Sequence, residues 1–460
     1  MIGYLSLLIF LVPLSYFTFT SSKKLVLYVL FIGGIPLTTF MPDLILLGFL
    51  GGLAPQAAFL FFIVGALAFI IMFSDGMMLR ALFKFKFYAL FIIYVLFSLT
   101  WSDSFIYGLR FTVKIISPFL LYMAVVGSIK SKKDFQNVEK VLLACVIVVI
   151  LLAIINFASG GAIGGDKVKY KWIPLGVFTA PYMSPANFSF FISIGAIFSI
   201  GNYFYYRQTK YLIVFLVLAA IVFAAFTRIS MAGLVFASGI CMFILIKNKF
   251  VKYVFPLVVV FGFILMLFTV DKFRDRMFYN ADEFDFSEAI ESPEKFEKNF
   301  DTSGRIFLWS KVLEHYEESN GFIGGGVGSL DMLMDKEFKS LELHSEYLRL
   351  YLDLGVIGLV LYLLGLLQII LKLLKVSKQN NVSKMYSAIA IGGIGFYLIT
   401  LFTDNSLNYV TEFGHYVYAL IGLAISSSIH LSDEDKEPNN VIEKVETGGQ
   451  NEKFDSVRLR

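Results

Sequence analysis

Residues 141–155 read VLLACVIVVILLAII, a run with no charged or strongly polar side chain. A helix needs roughly 20 mostly apolar residues to cross the hydrocarbon core of a bilayer, and this run with its flanks is long enough. Comparable runs recur along most of the chain, which is 57% hydrophobic and 16% charged, whereas soluble domains are about 25% charged. The sequence therefore predicts an all-α polytopic membrane protein with about 12–14 transmembrane helices.

The apolar runs that qualify as spans are separated by polar boundaries. The run over 42–53 is too short to cross a bilayer comfortably and is interpreted as re-entrant. No convincing internal repeat is visible, which argues against transporters built from duplicated halves. The expected spans lie near residues 2–19, 24–40, 56–73, 84–100, 109–128, 138–157, 185–205, 210–226, 230–247, 251–270, 349–374, 385–402 and 410–430.

Clusters of Lys and Arg orient the predicted bundle, because such clusters favour the cytoplasmic side of a membrane. They occur at every second boundary, in residues 23–24, 80–86, 130–133, 207–210, 247–252 and 372–384. The intervening boundaries, including a long polar stretch over 271–345, are then expected outside the cell, as is the N-terminus. Scattered in this way, the cations form no phosphate-binding face, so no nucleic-acid partner is expected.

Four regions follow from this pattern. Residues 1–270 form an N-terminal transmembrane bundle, 271–348 a large extracytoplasmic loop containing short helices, 349–430 the C-terminal transmembrane helices, and 431–460 a disordered cytoplasmic tail too polar to order itself. Cys145 and Cys241 both lie in apolar runs, so neither a disulfide nor thiolate chemistry is expected. The first residues are interpreted as a retained span rather than a cleaved signal.

The outer loop carries the most informative local patterns. Its first part is acidic, whereas from residue 305 apolar side chains recur at helical spacing after the N-capping run DTSG at 301–304. The following segment, NGFIGGGVGS at 320–329, is rich in glycine. We favour a tight turn beneath the loop helix over a phosphate cradle, because the Lys-Ser/Thr of a P-loop is missing.

The four histidines differ in what their positions predict. His344 lies where the outer loop continues into a span, which makes it the leading candidate for a catalytic group. His415, near Glu412 in the last span, is a weaker alternative. His315 is interpreted as part of a solvated helix face, and His430 ends the last span on the cytoplasmic side.

Cations at the outer boundary suggest an anionic ligand. Arg110 opens a span and Lys114 lies one turn deeper on the same face, while Arg228 opens another span and Arg305 starts the loop helix. Positive charge on the outside runs against the general bias, and arginine suits phosphate oxygens. For each of these arginines the structural alternative is snorkelling or an ion pair, for example Arg110 with Asp103.

Residues 303–363 resemble the signature region of the O-antigen ligase and polymerase superfamily. The resemblance rests on SGRIFLWSKVLEHYEESNGFIGGGVGS at 303–329, with its Ser-Gly-Arg, loop helix and glycine-rich turn, and on LHSEYLRLYLDLGVIGLVLYL at 343–363. TRISMAGL at 227–234 is similar to the second arginine motif of that family. The order of these elements and the dozen-span topology agree with the family as well.

The resemblance implies a membrane glycosyltransferase, GT-C-like, in the bacterial cytoplasmic (inner) membrane with its active site on the extracytoplasmic side. His344 would be the general base, while Arg305 and Arg228 would hold a pyrophosphate, joined by the boundary cations Arg110 and Lys114. The chemistry is reasonable, because neutral imidazole accepts a proton near pH 7 and fixed cations stabilise a departing pyrophosphate. No cofactor and no metal site are expected.

The implied donor is a glycan on undecaprenyl pyrophosphate, and the acceptor a sugar hydroxyl. A lipid-linked glycan as acceptor would define an O-antigen or surface-polysaccharide polymerase, which we favour from the Arg305-to-Gly321 spacing and the acidic insertion. Lipid A-core as acceptor would define a ligase of lipopolysaccharide synthesis. Membrane lipids and a chain-length regulator are candidate partners. A lipid-linked glycan transporter is the alternative of another class.

Overall fold

The computed structural model describes residues 2–34, 55–74, 76–160, 178–181, 183–225, 227–246, 248, 254, 304–316, 321–338 and 341–432. Within these ranges every regular element is a helix. In chain order they are α1 (Ile2–Thr20), α2 (Ser22–Gly34), α3 (Pro55–Met72), α4 (Met77–Leu82), α5 (Lys86–Ser98), α6 (Phe105–Ser128), α7 (Lys132–Ala158), α8 (Pro185–Tyr206), α9 (Thr209–Ala224), α10 (Arg228–Leu245), α11 (Arg305–Tyr316), α12 (Ser329–Glu337), α13 (Glu346–Val376), α14 (Asn381–Thr403), a π-helical turn (Val410–Gly414) and α15 (His415–His430).

Six of these helices, α6, α7, α8, α10, α13 and α14, are long and apolar enough to cross a membrane. Shorter apolar helices lie within α1, α3, α5 and α9. The predicted class, an all-α polytopic membrane protein, is confirmed. All predicted spans but one coincide with or overlap a helix. Of the remaining one, at 251–270, the structure describes only residue 254. The stretch over 42–53, the loop residues 271–303 and the tail from 433 lie outside the described residues.

Helices α8 and α14 lie at the centre of the bundle, and α7 lies at its edge. The most apolar stretch of α8 and of α14 is 83% buried, against 28% for α7. Glycine allows the close approach of α10 to α14, because a Cβ on Gly392 would lie 2.7 Å from the sulfur of Cys241. Small residues serve this purpose between membrane helices generally.

Helix α13 is broken at Gly355, whose φ of 66° and ψ of −171° are not helical. Beyond the break, the N–H groups of Val356 and Ile357 donate to the carbonyl oxygens of Gly321 and Phe322 at 3.1 and 3.3 Å. A helix normally satisfies its own backbone, and an interrupted one inside a membrane bundle needs other partners. Here the segment that precedes α12 supplies them.

The same loop segment, residues 321–328, also binds the last residues before the break. We call it the glycine segment. The N–H groups of Gly325 and Gly326 donate to the carbonyl oxygens of Leu352 and Asp353 at 3.0 and 2.8 Å. The glycine segment therefore bridges both halves of α13 and fixes the first half, which carries the residues described below.

Replacing Gly355 with alanine should destabilise the protein strongly. A Cβ there would lie 2.3 Å from the carbonyl oxygen of Phe322, and the positive φ adds about 1–2 kcal/mol for any other residue. We expect a loss of at least about 2 kcal/mol in SDS unfolding of the detergent-solubilised protein. Gly239→Ala in α10, where a Cβ has nothing within 4 Å, is the matched control. Equal stabilities of the two variants would contradict this account of the break.

Candidate functional site

His344 lies in the short segment that leads into α13, and its neighbours fix it there. Leu343 is fully buried, in a cluster that includes Val312 of α11, and its carbonyl oxygen accepts a hydrogen bond from Trp309 Nε1 at 2.7 Å. Ser345 caps α13 by accepting the N–H of Leu348. His344 is thus anchored on both sides, while its own ring stays 34% exposed.

The backbone of His344 adopts a φ of 53°, which is uncommon for a residue with a side chain. Its N–H donates to Asn405 Oδ1 at 2.9 Å, and this bond holds the unusual conformation in place. Such backbone strain clusters at functional sites. This backbone conformation, which the sequence did not predict, is a second indication of function at His344.

A loop between α14 and the π-helical turn surrounds the imidazole. We call residues 404–409 the site loop. Asn405 Nδ2 donates to Glu342 Oε2 at 2.7 Å and lies 3.4 Å from His344 Nδ1. Asp404 Oδ1 lies 3.9 Å from the same nitrogen, and Glu342 Oε2 lies 3.9 Å from Nε2. One carboxylate therefore faces each nitrogen of the ring.

The two carboxylates beside His344 differ in burial. The side chain of Asp404 is 5% exposed, and that of Glu342 is 57% exposed. Asp404 Oδ1 is held by the N–H of Asn405 at 2.8 Å and by the hydroxyl of Tyr409 at 3.2 Å. Burial, and then the Asp404 charge, raise the pKa of Tyr409, which therefore stays protonated as a donor.

Beneath the site loop lies a network of buried charges. Arg349 pairs with Asp331 of α12, Nη1 to Oδ1 at 2.5 Å, and with Glu346, Nε to Oε2 at 3.1 Å. Glu346 in turn accepts the N–H of Leu407 at 3.1 Å. The guanidinium also stacks on Phe111 of α6, 4.8 Å from the ring centroid. The network joins α6, α12, α13 and the site loop.

The glycine segment is a structural turn rather than an anion cradle. Besides the two N–H groups bound to α13, those of Gly328 and Leu330 donate to the Asp353 carboxylate at 3.0 and 2.8 Å. A Cβ on Gly328 would lie 2.3 Å from the backbone nitrogen of Gly108. The donors that a phosphate would need are used within the protein, as the favoured interpretation predicted.

The two predicted cations of α6 lie at this end of the bundle. Lys114 Nζ donates to Asn408 Oδ1 of the site loop at 2.8 Å. Arg110, one helical turn earlier, lies with its guanidinium 5.5 Å from the ring centroid of Tyr107. The hydroxyl of Tyr107 donates to Asp335 of α12 at 2.6 Å. Lys114 therefore shares the loop that holds His344, and Arg110 lies beside α12.

Arg305 begins α11 and lies four residues before Trp309, on the same helix face. Trp309 binds the residue before His344, and its ring lies 6.3 Å from that of Phe402 at the end of α14. This places Arg305 on the side of α11 that faces the His344 segment. Its Nε is buried and has no hydrogen-bond partner among the described residues.

Arg228 begins α10 at the same end of the bundle. Two residues on, Ser230 Oγ lies 2.6 Å from Ser189 Oγ of α8, and the ring of Phe190 packs 5.8 Å from that of Tyr409. Helices α8 and α10 thus begin beside the site loop. His344 and Lys114 both contact that loop, Arg305 approaches through Trp309, and Arg228 lies at the same level on the neighbouring helix.

Comparison with known families identifies the region that contains these residues. Residues 213–363 match a family model described as O-antigen ligase, and the match includes Arg228, Arg305 and His344. This region is therefore similar to the O-antigen ligase family. The resemblance stated from the sequence is confirmed, and the domain supports glycan transfer of the ligase or polymerase type. No curated protein matches the chain.

Part of the site lies outside the O-antigen ligase domain. The site loop follows the matched residues, and α6 with Lys114 and Arg110 precedes them. The sequence places this loop only between the predicted spans at 385–402 and 410–430. The polar run Asp-Asn-Ser-Leu-Asn-Tyr at 404–409 was a local signal, but its pairing with a residue about sixty positions away was not visible.

The other histidines have structural or exposed positions. His415 is buried, and its Nε2 lies 2.7 Å from Ser117 Oγ, which joins α15 to α6. His315 is exposed on α11, as predicted. In the part of the chain that the structure describes, no group of three His, Cys, Asp or Glu side chains is placed to hold a metal ion.

Removing the central cation of the buried network should destabilise the protein. Arg349→Met keeps the side-chain volume but leaves Glu346, which is 0% exposed, without its cation. Breaking a buried pair in this way costs about 3–5 kcal/mol. Lys311→Met breaks the exposed pair with Glu314 on α11 and should cost less than about 1 kcal/mol. SDS unfolding of both variants measures the difference. Similar losses of unfolding free energy would show that the buried network contributes no more to stability than an exposed ion pair.

Proposed function

We propose that this protein is a glycosyltransferase that moves a glycan from undecaprenyl pyrophosphate to a sugar hydroxyl. The reaction would take place at the extracytoplasmic face of the bacterial cytoplasmic membrane. One observation carries the proposal: within an O-antigen ligase domain, His344 is held rigidly with its ring partly open and a carboxylate beside each nitrogen. This is the arrangement expected of a positioned general base.

In the proposed reaction the acceptor hydroxyl oxygen attacks the anomeric carbon of the donor. The bond from that carbon to the pyrophosphate oxygen breaks, and its electron pair leaves with undecaprenyl pyrophosphate. His344 takes the hydroxyl proton, which contributes about 10²–10⁴-fold in rate. Direct displacement inverts the configuration at the anomeric carbon.

Asp404 favours the tautomer that this step needs. A base at Nε2 carries the ring hydrogen on Nδ1, and Asp404 Oδ1, 3.9 Å from Nδ1, would stabilise that hydrogen through its charge rather than through a hydrogen bond. The short bond of the Asn405 amide goes to Glu342 instead. Since Asp404 is buried, its charge also stabilises the imidazolium that forms when the proton arrives.

The cations would hold the leaving group. Arg305 has a buried Nε for which the described residues supply no acceptor, and a pyrophosphate oxygen would satisfy it with a charge-assisted hydrogen bond. Arg228, Arg110 and Lys114 complete a set of positive groups at the same end of the bundle. Their charge acts where negative charge develops on the departing oxygen.

The base role predicts a specific loss in His344→Asn. Asparagine tolerates the positive φ at this position but cannot accept the proton, so glycan transfer should fall by about 10²–10⁴-fold. Expression and membrane insertion should stay at wild-type level. His315→Asn, on the exposed face of α11, is the matched control and should keep full activity. A transporter would be indifferent to both changes, so full activity of His344→Asn would reject the enzyme proposal.

The acceptor decides between polymerase, which we favour, and ligase. In a strain lacking the gene, we expect lipid-linked glycan to accumulate as single repeats, because chain growth stops while the supply of donor continues. Mass spectrometry of the undecaprenyl-linked pool measures this. Long chains retained on the carrier would instead identify a ligase that uses lipid A-core, and a wild-type pool would exclude both.

A further inference from the structure

We propose that Glu342 is a specificity-determining residue that binds the acceptor sugar, through a hydroxyl next to the one that attacks. The inference rests on the proposed function and extends it to a residue that neither the family pattern nor the cations indicated. Three observations support it: the position of Glu342 beside His344, the hydrogen bond of its carboxylate, and its greater exposure compared with Asp404.

Glu342 and His344 point to the same side of the segment before α13. Leu343 between them is buried at 0% exposure and faces the opposite way. Glu342 Oε2 and His344 Nε2 lie 3.9 Å apart. Vicinal sugar hydroxyls are separated by about 3 Å, which is a hydrogen-bond length. A sugar whose one hydroxyl faces Nε2 therefore presents its neighbour to Glu342.

The Glu342 carboxylate is fixed but has acceptor capacity left. Its Oε2 receives Asn405 Nδ2 at 2.7 Å, which holds the side chain against the site loop. An ionised carboxylate has about four lone-pair sites, and this side chain is 57% exposed. Sugar hydroxyls are donors that such a carboxylate binds well, since hydrogen bonds to charged groups are stronger than neutral ones.

Burial assigns different roles to the two carboxylates. Asp404 is 5% exposed and faces Nδ1, so its charge acts on the imidazole with little screening. Glu342 is 57% exposed, so solvent screens its charge more than that of Asp404. A pyrophosphate would also be repelled from Glu342. This side of His344 is therefore suited to the neutral acceptor sugar.

The test compares Glu342→Gln with Glu337→Gln, an exposed glutamate on α12. The full chain in detergent is given saturating lipid-linked donor and an acceptor that cannot act as donor. For a polymerase, that acceptor is the repeat glycan freed from its carrier by mild acid. For a ligase it is lipid A-core. Glutamine keeps the bond to Asn405, so unfolding temperature should not change.

We expect Glu342→Gln to raise the KM for acceptor by about 10–100-fold. The kcat should stay within about 3-fold and the donor KM should be unchanged, because the base is intact. Glu337→Gln should match wild type.

Two results would overturn the proposal. A lower kcat or a displaced pH profile at unchanged acceptor KM would mean that Glu342 acts through His344. Equality with Glu337→Gln would mean that Glu342 has no role. Failure of the proposed function itself has a separate signature, which is full transfer activity in His344→Asn whatever Glu342→Gln does.

Discussion

The backbone break in α13 is the constraint on which the rest of the structure depends. An interrupted helix in a membrane bundle exposes N–H and C=O groups that lipid cannot satisfy. Here the glycine segment satisfies them on both sides of Gly355, and Asp353 binds the turn that follows. Glycine is required because backbone meets backbone at these contacts, with no room for a Cβ. Residues 321–330 are consequently built into the bundle rather than appended to it.

Buried charged residues connect this junction to the candidate site. The first half of α13 presents Arg349 and Glu346, which bind α12 and the site loop respectively. Buried ion pairs are weak sources of net stability but strong constraints on geometry, since each charge must find its partner. The site loop is held in this way beneath the imidazole, and Asn405 then binds the backbone of His344. The position of the ring thus depends on contacts several residues away from it.

The sequence predicted those features that leave a local pattern. Apolar runs located the helices, and the motif around Arg305 and His344 located the region that matches the family model. The helix break was not predicted, because Gly355 in LDLGVIGL is compatible with a continuous span. The site loop was missed for a different reason: Asn405 and His344 are 61 positions apart, and such pairing has no periodicity to detect. Arg349 and Glu346 have ordinary helical spacing, and only the structure reveals that they are buried.

Charges of both signs lie around His344. A site that only held pyrophosphate would need cations alone, yet acidic groups lie among the cations here. Lys114 lies within electrostatic range of Asp331, Glu346 and Glu342, and His344 lies between two carboxylates. In the proposed reaction the two substrates differ most in charge, since one carries a pyrophosphate and the other presents neutral hydroxyls. The exposed carboxylate of Glu342 would help to sort them, because it repels an anionic donor and accepts hydrogen bonds from the neutral hydroxyls of the acceptor. Such sorting would favour the productive arrangement of donor and acceptor before any bond changes.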